Sequence, residues 1–159
     1  GEIARASTRT LALAFGSGDL GRGRALPSIR GDLSAALAYG RGKIVYDARA
    51  AGLPAPLDGP YLNVRDGAGL EADCRAAAAL GHGGKVLIHP DQVAIANRVF
   101  GPQPDEVAFA RKIVAAFAAA EAEGSAAIAV DGVFVDYPIA VKAQAILDLA
   151  EAIAAREQP

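Results

Sequence analysis

The 159-residue chain is long enough for one domain, and with 52% apolar and 21% charged residues its composition is globular rather than disordered. A net charge of −2 and a pI of about 5.7 exclude a basic surface for nucleic acid. Cys74 is the only cysteine, which excludes an intrachain disulfide and fits a reducing compartment such as the cytoplasm, and no apolar run approaches the length of a membrane span.

The chain holds no Met and starts at Gly1, as expected of part of a longer polypeptide. Gly1–Ser7 reads as the tail of a helix, with Ile3 and Ala6 on one face. Leu11–Phe15 is a short apolar run closed by Gly16-Ser17-Gly18-Asp19, which suits a buried strand ending in a tight turn. In parallel α/β folds the carboxyl ends of strands collect the chemistry. Asp19 is placed there either to hold a hard metal ion beside glycine amides that hold an anion, or to cap a turn. Gly21–Gly31 is a Gly/Arg-rich loop, whose Arg22, Arg24 and Arg30 are either solvated or facing an anion.

Asp32 or Ser34 caps a helix that carries Leu33, Leu37, Ile44, Val45 and Ala48 and ends at Gly52, before Pro54 and Pro56. Asp58–Asp66 is a second strand centred on Tyr61–Val64, and Gly69–Leu80 a helix with Leu70, Cys74, Ala77 and Leu80 near one face. Lys85–Ile88 is a third short strand, stopped by His89-Pro90. Here Lys85 has a structural role, His89 orients a rim loop, and His82, among glycines, is exposed. A helix with Val93, Ile95, Ala96 and Val99 follows Asp91 and stops at Phe100-Gly101-Pro102. Pro104-Asp105-Glu106 opens a long helix to Glu123, and Gly124-Ser125 breaks it. A hairpin turns at Asp131-Gly132, and Asp136-Tyr137-Pro138 leads into a final helix, Ile139–Ala155. Strands alternating with helices imply parallel pairing through right-handed crossovers. Three such strands alone leave open edges and an uncovered face, so they read as the closing portion of a larger barrel.

Five landmarks stand in order: Phe15-Gly16-x-Gly18-Asp19-Leu20; Asp58-Gly59-Pro60-Tyr61 with Asp66; Gly84-Lys85-x-x-Ile88-His89-Pro90-x-Gln92; Phe100-x-Pro102; and Gly132-x-x-Val135-Asp136-x-Pro138. Together they resemble the citrate lyase β-subunit/malyl-CoA lyase family of the HpcH/HpaI aldolase group. The resemblance implies an α/β fold, a TIM (β/α)8 barrel of which this chain holds the last three βα units in residues 1–100. A C-terminal helical and hairpin segment, residues 101–159, would cover a neighbouring subunit's active site. It implies Mg²⁺ and a coenzyme A thioester substrate, with an acyl-CoA and a small oxoacid as partners. Asp19 then resembles the metal ligand, Gly16, Ser17, Gly18 and Asp19 the turn that holds the oxoacid carboxylate, and Asp136 the catalytic acid delivered in trans. From the residues alone, Asp136 reads rather as a helix N-cap.

The implied activity is Mg²⁺-dependent carbon–carbon cleavage of a short hydroxyacyl-CoA such as malyl-CoA or citramalyl-CoA. The alternatives are a malyl-CoA-type thioesterase and a non-catalytic half-barrel that needs a partner chain. A homo-oligomer, trimer or hexamer, is implied. So is an N-terminal barrel half, from the same or another chain, carrying an Arg for the substrate carboxylate and a Glu for the metal.

Overall fold

The computed structural model describes residues 1–18, 20 and 34–157. The chain divides into two compact units, Gly1–Phe100 and Gly101–Pro159.

In the first unit, α1 (Glu2–Arg5) precedes the Leu11–Phe15 run, and α2 (Ser34–Ala50) follows later. Then come β1 (Leu57–Asp58), α3 (Gly67–Leu80), β2 (Gly84–Lys85) and α4 (Gln92–Phe100). β1 and β2 pair in parallel, Leu57 opposite Gly84 and Asp58 opposite Lys85, and Ala14 forms a parallel bridge to Leu57 on the other side. The adjacent parallel order expected of the three runs is therefore present, with shorter and shifted strands.

Each shift has a local cause. Leu11–Phe15 pairs only through Ala14, where Phe15 N–H donates to Leu57 O (2.9 Å) and Leu57 N–H to Leu13 O (2.9 Å). Among the described residues it has a neighbour on one side only, and Leu11 is 81% exposed, not buried as a two-faced strand would be. The second strand is Leu57–Asp58, not Tyr61–Val64. Pro60 has no N–H to give a ladder, so the chain leaves the sheet at Gly59-Pro60. The third strand stops at Lys85. Val86 N–H still reaches Asp58 O (2.8 Å), but Ile88 N–H is taken by the Gln92 side chain (3.0 Å) rather than by a strand.

Parity sets the two faces of this sheet. Leu57 and Gly84 share one face with Ala14, while Asp58 and Lys85 point the other way, toward α2 and α3. On the helix side, Leu70, Cys74 and Ala96 form a core with Leu87, Ile95 and Val99 against it. Cys74 is the small core residue its Ala-rich surroundings imply, and burial raises its thiol pKa. Gly40 lets α2 approach the Phe15 ring, since a Cβ there would lie 3.0 Å from it. On the opposite face Leu57 and Val86 remain substantially exposed, and Ile88 beyond them is 50% exposed. His82, expected at the surface, is buried: its Nε2 lies 3.1 Å from Arg41 O, so it is fastened under α2 rather than solvated.

The second unit contains α5 (Pro104–Ala122), β3 (Ala127–Val130), β4 (Val133–Asp136) and α6 (Tyr137–Glu157). Glu106 reaches back to Gln103 N–H (3.3 Å), a capping-box contact, with Pro104 in the first turn. Gly124, at φ +81°, ends the excursion after α5. β3 and β4 form an antiparallel hairpin from Ala127↔Asp136 to Val130↔Val133. Its turn needs positive φ twice, and Asp131 (+49°) and Gly132 (+83°) supply it, as an Asp-Gly pair does in a type I′ turn. Ala110, Ile113, Phe117, Val130, Val135 and Ala143 form the core between the helices and the hairpin.

Candidate active site

All three chain segments of the sheet run the same way, so their carboxyl ends deliver Gly16–Gly18, Gly59–Asp66 and Val86–Gln92 to one edge. After the Ala14 bridge the chain turns at once: Ser17 N–H donates to Phe15 O (3.0 Å) and Leu20 N–H to Gly16 O (3.0 Å). Gly16 and Gly18 have open space where a Cβ would stand. Asp19, the expected metal ligand, lies outside the described residues, as do Arg22, Arg24, Arg30 and Asp32.

The turn is seated on the next segment. A Cβ on Gly59 would fall 2.4 Å from Ser17 Oγ and 2.7 Å from Phe15 O, so only glycine permits this approach. Asp58, just before it, is buried and accepts from Arg41 Nε (3.0 Å), Arg41 Nη2 (2.6 Å) and Lys85 Nζ (2.5 Å). Asp73 closes the group, 3.0 Å from Arg41 and 2.5 Å from Lys85. Burial works to raise the Asp58 pKa, but the hydrogen bonds from Arg41 and Lys85 outweigh it and hold the carboxyl below its usual range. Two cations and two carboxylates thus balance between the sheet and α2/α3. Lys85 has the structural role assigned to it. Arg41 and Asp73 were missed, although Arg41 shares a helix face with the buried Leu37 and Ala48 at spacings of i+4 and i+7.

A second polar knot ties the outer loops. Gln92, itself buried, accepts from Ile88 N–H and donates to Tyr61 O (both 3.0 Å). Tyr61 Oη donates to Asp66 (2.8 Å), which also caps α3 through Gly69 N–H (2.8 Å). The Gly69 N–H bond and then the Tyr61 bond lower the Asp66 pKa. His89 accepts from Asp91 N–H at 3.3 Å, the loop-orienting contact expected of it. Between the starts of α3 and α4 lies an open cleft of about 530 Å³, edged by Arg65, Gly67, His89 and Asp91.

Asp136 belongs to the second unit, at the junction of β4 and α6. It is half-buried, and Oδ1 accepts from Ile139 N–H (3.2 Å), so the N-cap geometry is present. Oδ2 is the atom through which it could do other work. Beside it, Phe134 and Tyr137 are about two-thirds exposed, and Val133 and Val141 are also open to solvent.

Among the described residues, no group of three or more His, Cys, Asp or Glu side chains is arranged to hold a metal. Asp66 is already engaged by Tyr61 and Gly69, so the described residues do not by themselves make a closed site for Mg²⁺, which takes several oxygen ligands. Among the described residues, no helix is long and apolar enough to cross a membrane.

The parallel sheet edge, with glycine turns at its carboxyl ends, marks an α/β protein, and a solved structure gives its fold type as that of the citrate lyase β subunit. The chain superposes on CitE of Mycobacterium tuberculosis, solved with magnesium, acetoacetate and coenzyme A, at a TM-score of 0.76 and 31% identity, covering 94% of this chain and 55% of that one. No protein-family model matches. It is 40% identical over 115 residues to human mitochondrial citramalyl-CoA lyase, covering 72% of this chain and 34% of the relative. It is 44% identical over 120 residues to (3S)-malyl-CoA thioesterase of Cereibacter sphaeroides, covering 76% and 42%. It is 34% identical over 151 residues to the citrate lyase β subunit of Leuconostoc mesenteroides, covering 95% and 49%. The chain belongs to the citrate lyase β-subunit/malyl-CoA lyase family. It spans about a third to a half of the length of these relatives.

Proposed function

We propose that this chain is the closing part, strands six to eight and the C-terminal segment, of a Mg²⁺-dependent carbon–carbon lyase. Its substrate would be a short hydroxyacyl-CoA such as malyl-CoA or citramalyl-CoA. The observation that carries the reading is the convergence of the Gly16–Gly18 turn, the Gly59 loop and the Ile88–Gln92 loop on one sheet edge, in a chain related to lyases of this kind. The sheet face carrying Leu57 and Val86 is apolar and exposed, and further barrel strands, from the same or another chain, would cover it.

In cleavage, the bond between the carbinol carbon and the acyl α-carbon breaks. The hydroxyl gives its proton to water as its carbon becomes the oxoacid carbonyl, the electron pair passes to the thioester as an enolate, and a proton from water restores the one that Asp136 delivers. The Gly16–Gly18 turn holds the oxoacid carboxylate through amides other than that of Ser17, whose N–H already donates to Phe15 O. Asp19 is the metal ligand this chain supplies, and Mg²⁺ when bound provides Lewis acidity and a template for the oxoacid oxygens. Asp136 gives a proton to the enolate carbon, and in the reverse direction removes it. The exposed Phe134, Tyr137 and Val141 beside Asp136 suit docking on a neighbouring subunit. The family resemblance supports action of this acid in trans within a homo-oligomer, a trimer or hexamer, in the cytoplasm. The 44% identity to a thioesterase favours a second reading, hydrolysis of the same thioester.

Product analysis tests this. Malyl-CoA incubated with the assembled protein and Mg²⁺ should give acetyl-CoA and glyoxylate in equal amounts. Free malate and coenzyme A would make it a thioesterase, and no turnover by an intact assembly would leave a non-catalytic half-barrel.

A further inference from the structure

We propose that Asp58 is a positioning residue: clamped by Arg41 and Lys85, it fixes where Gly59 meets Ser17, and so sets the shape of the Gly16–Gly18 turn. Its consequence for catalysis rests on the reading above, in which that turn holds the oxoacid; its structural content does not.

The Asp58 side chain is held by three charge-assisted bonds from two elements, Arg41 on α2 and Lys85 on β2. Asp73 on α3 holds the same two cations from the other side, so neither can swing away and leave Asp58 free. The Asp58 carbonyl is fixed as well, by Val86 N–H at 2.8 Å. The residue is therefore pinned at both ends, and Gly59 follows with a single peptide of slack. Gly59 in turn lies against Ser17 and the Phe15 carbonyl with no room even for a methyl group, and Phe15 N–H is bonded to Leu57 O. A displacement of Asp58 must therefore appear at Ser17.

A buried network of this kind adds little net stability compared with apolar packing, but it is directional. In this sheet it selects register. A slip of one residue would place Lys85 opposite Leu57 and turn the charges of β1 to the apolar face. An apolar patch would tolerate such sliding. Four paired charges do not.

Amide resonances of the turn, with kinetics, test the proposal. Asp58→Asn removes the charge that both cations share, and Gly59→Ala leaves the charges alone and pushes on Ser17 directly. Lys43→Ala, at an exposed pair on the same helix, is the control. In both test variants the Gly16, Ser17 and Gly18 amide signals should move while those of Leu70 and Ala96 stay, and the control should move neither set. In the condensation direction, KM for glyoxylate should rise by about tenfold, the loss of one charge-assisted hydrogen bond, with kcat and KM for acetyl-CoA little changed. If Asp58→Asn does not fold, Asp73→Asn, which loosens the two cations that clamp Asp58, carries the test. Turn signals that coincide with wild type in a folded variant overturn the proposal. Moved signals in a protein whose wild type has no lyase activity uphold it and discard the catalytic reading instead.

Discussion

Asp58 has a strong stability signature, because removing it leaves Arg41 and Lys85 buried with Asp73 to share. Asp58→Ala should lower the unfolding free energy by about 3–5 kcal/mol, the usual cost of orphaning a buried charge, as read by urea denaturation. Glu71→Gln, which breaks exposed pairs to Arg75 and Arg98, should leave the midpoint nearly unchanged. The pH dependence has a definite sign. The Asp58 and Asp66 carboxyls titrate below their ordinary range when folded, so the folded state binds their protons more weakly than the unfolded chain. Their stabilisation is full above the unfolded value of about 4 and is lost as pH falls through the lower folded values. The urea midpoint should thus hold from pH 7 to about 5 and fall steeply below 4, less steeply in Asp58→Asn. A midpoint that rose on acidification would contradict this. The sequence marked Asp58 and Lys85 as landmarks but not as partners. Nothing local shows that a helix residue 17 positions upstream, Arg41, returns to meet them.

Elements were legible where a local signal decides them. The capping contact before α5, the Asp-Gly turn and the glycine after α2 all stand where turn and cap chemistry place them. The second strand was centred several residues too late, and the third, Lys85–Ile88, was drawn too long, since the ladder stops at Lys85. Tyr61–Val64 and Val86–Ile88 are the more apolar stretches, yet pairing is set by Pro60, which cannot donate, and by Gln92, which takes the Ile88 amide. Hydrophobic pattern finds the run, and hydrogen-bond supply decides which part of it pairs. Two glycines make the distinction measurable. Gly132 sits at φ +83°, where a Cβ is strained, so Gly132→Ala should destabilise by about 1–2 kcal/mol. Gly42 lies inside α2 with open space around it, so Gly42→Ala should stabilise by about 0.5–1 kcal/mol. Thermal unfolding of the two variants should move in opposite directions, and a shift of the same sign would show that the backbone conformation at one of them is not as described.

At the scale of the whole molecule, exposed apolar surface among the described residues calls for partners. One stretch is the sheet face with Leu57 and Val86, and another is the Phe134–Val141 surface beside Asp136. The first was foreseeable, because three parallel strands cannot close a barrel. The second was not, because alternation within a hairpin does not reveal which face meets another subunit. Asp136 already spends Oδ1 on capping α6, which fixes the carboxylate rather than occupying it, and leaves Oδ2 to face whatever docks there. If that surface seats on a neighbouring copy, the acid and the Gly16–Asp19 turn that serve one active site come from different subunits. Asp136→Ala and Asp19→Asn should each abolish turnover. Mixing the two inactive proteins under conditions that allow subunit exchange should then restore part of it, because some interfaces will pair an intact turn with an intact Asp136. Random exchange into a symmetric ring gives about a quarter of the wild-type sites, since each site needs both intact contributions. Recovery near that level, dependent on exchange time, supports action in trans. No recovery, with exchange proven by mass spectrometry of mixed oligomers, would assign both acids to one subunit's site or leave Asp136 as a helix cap alone.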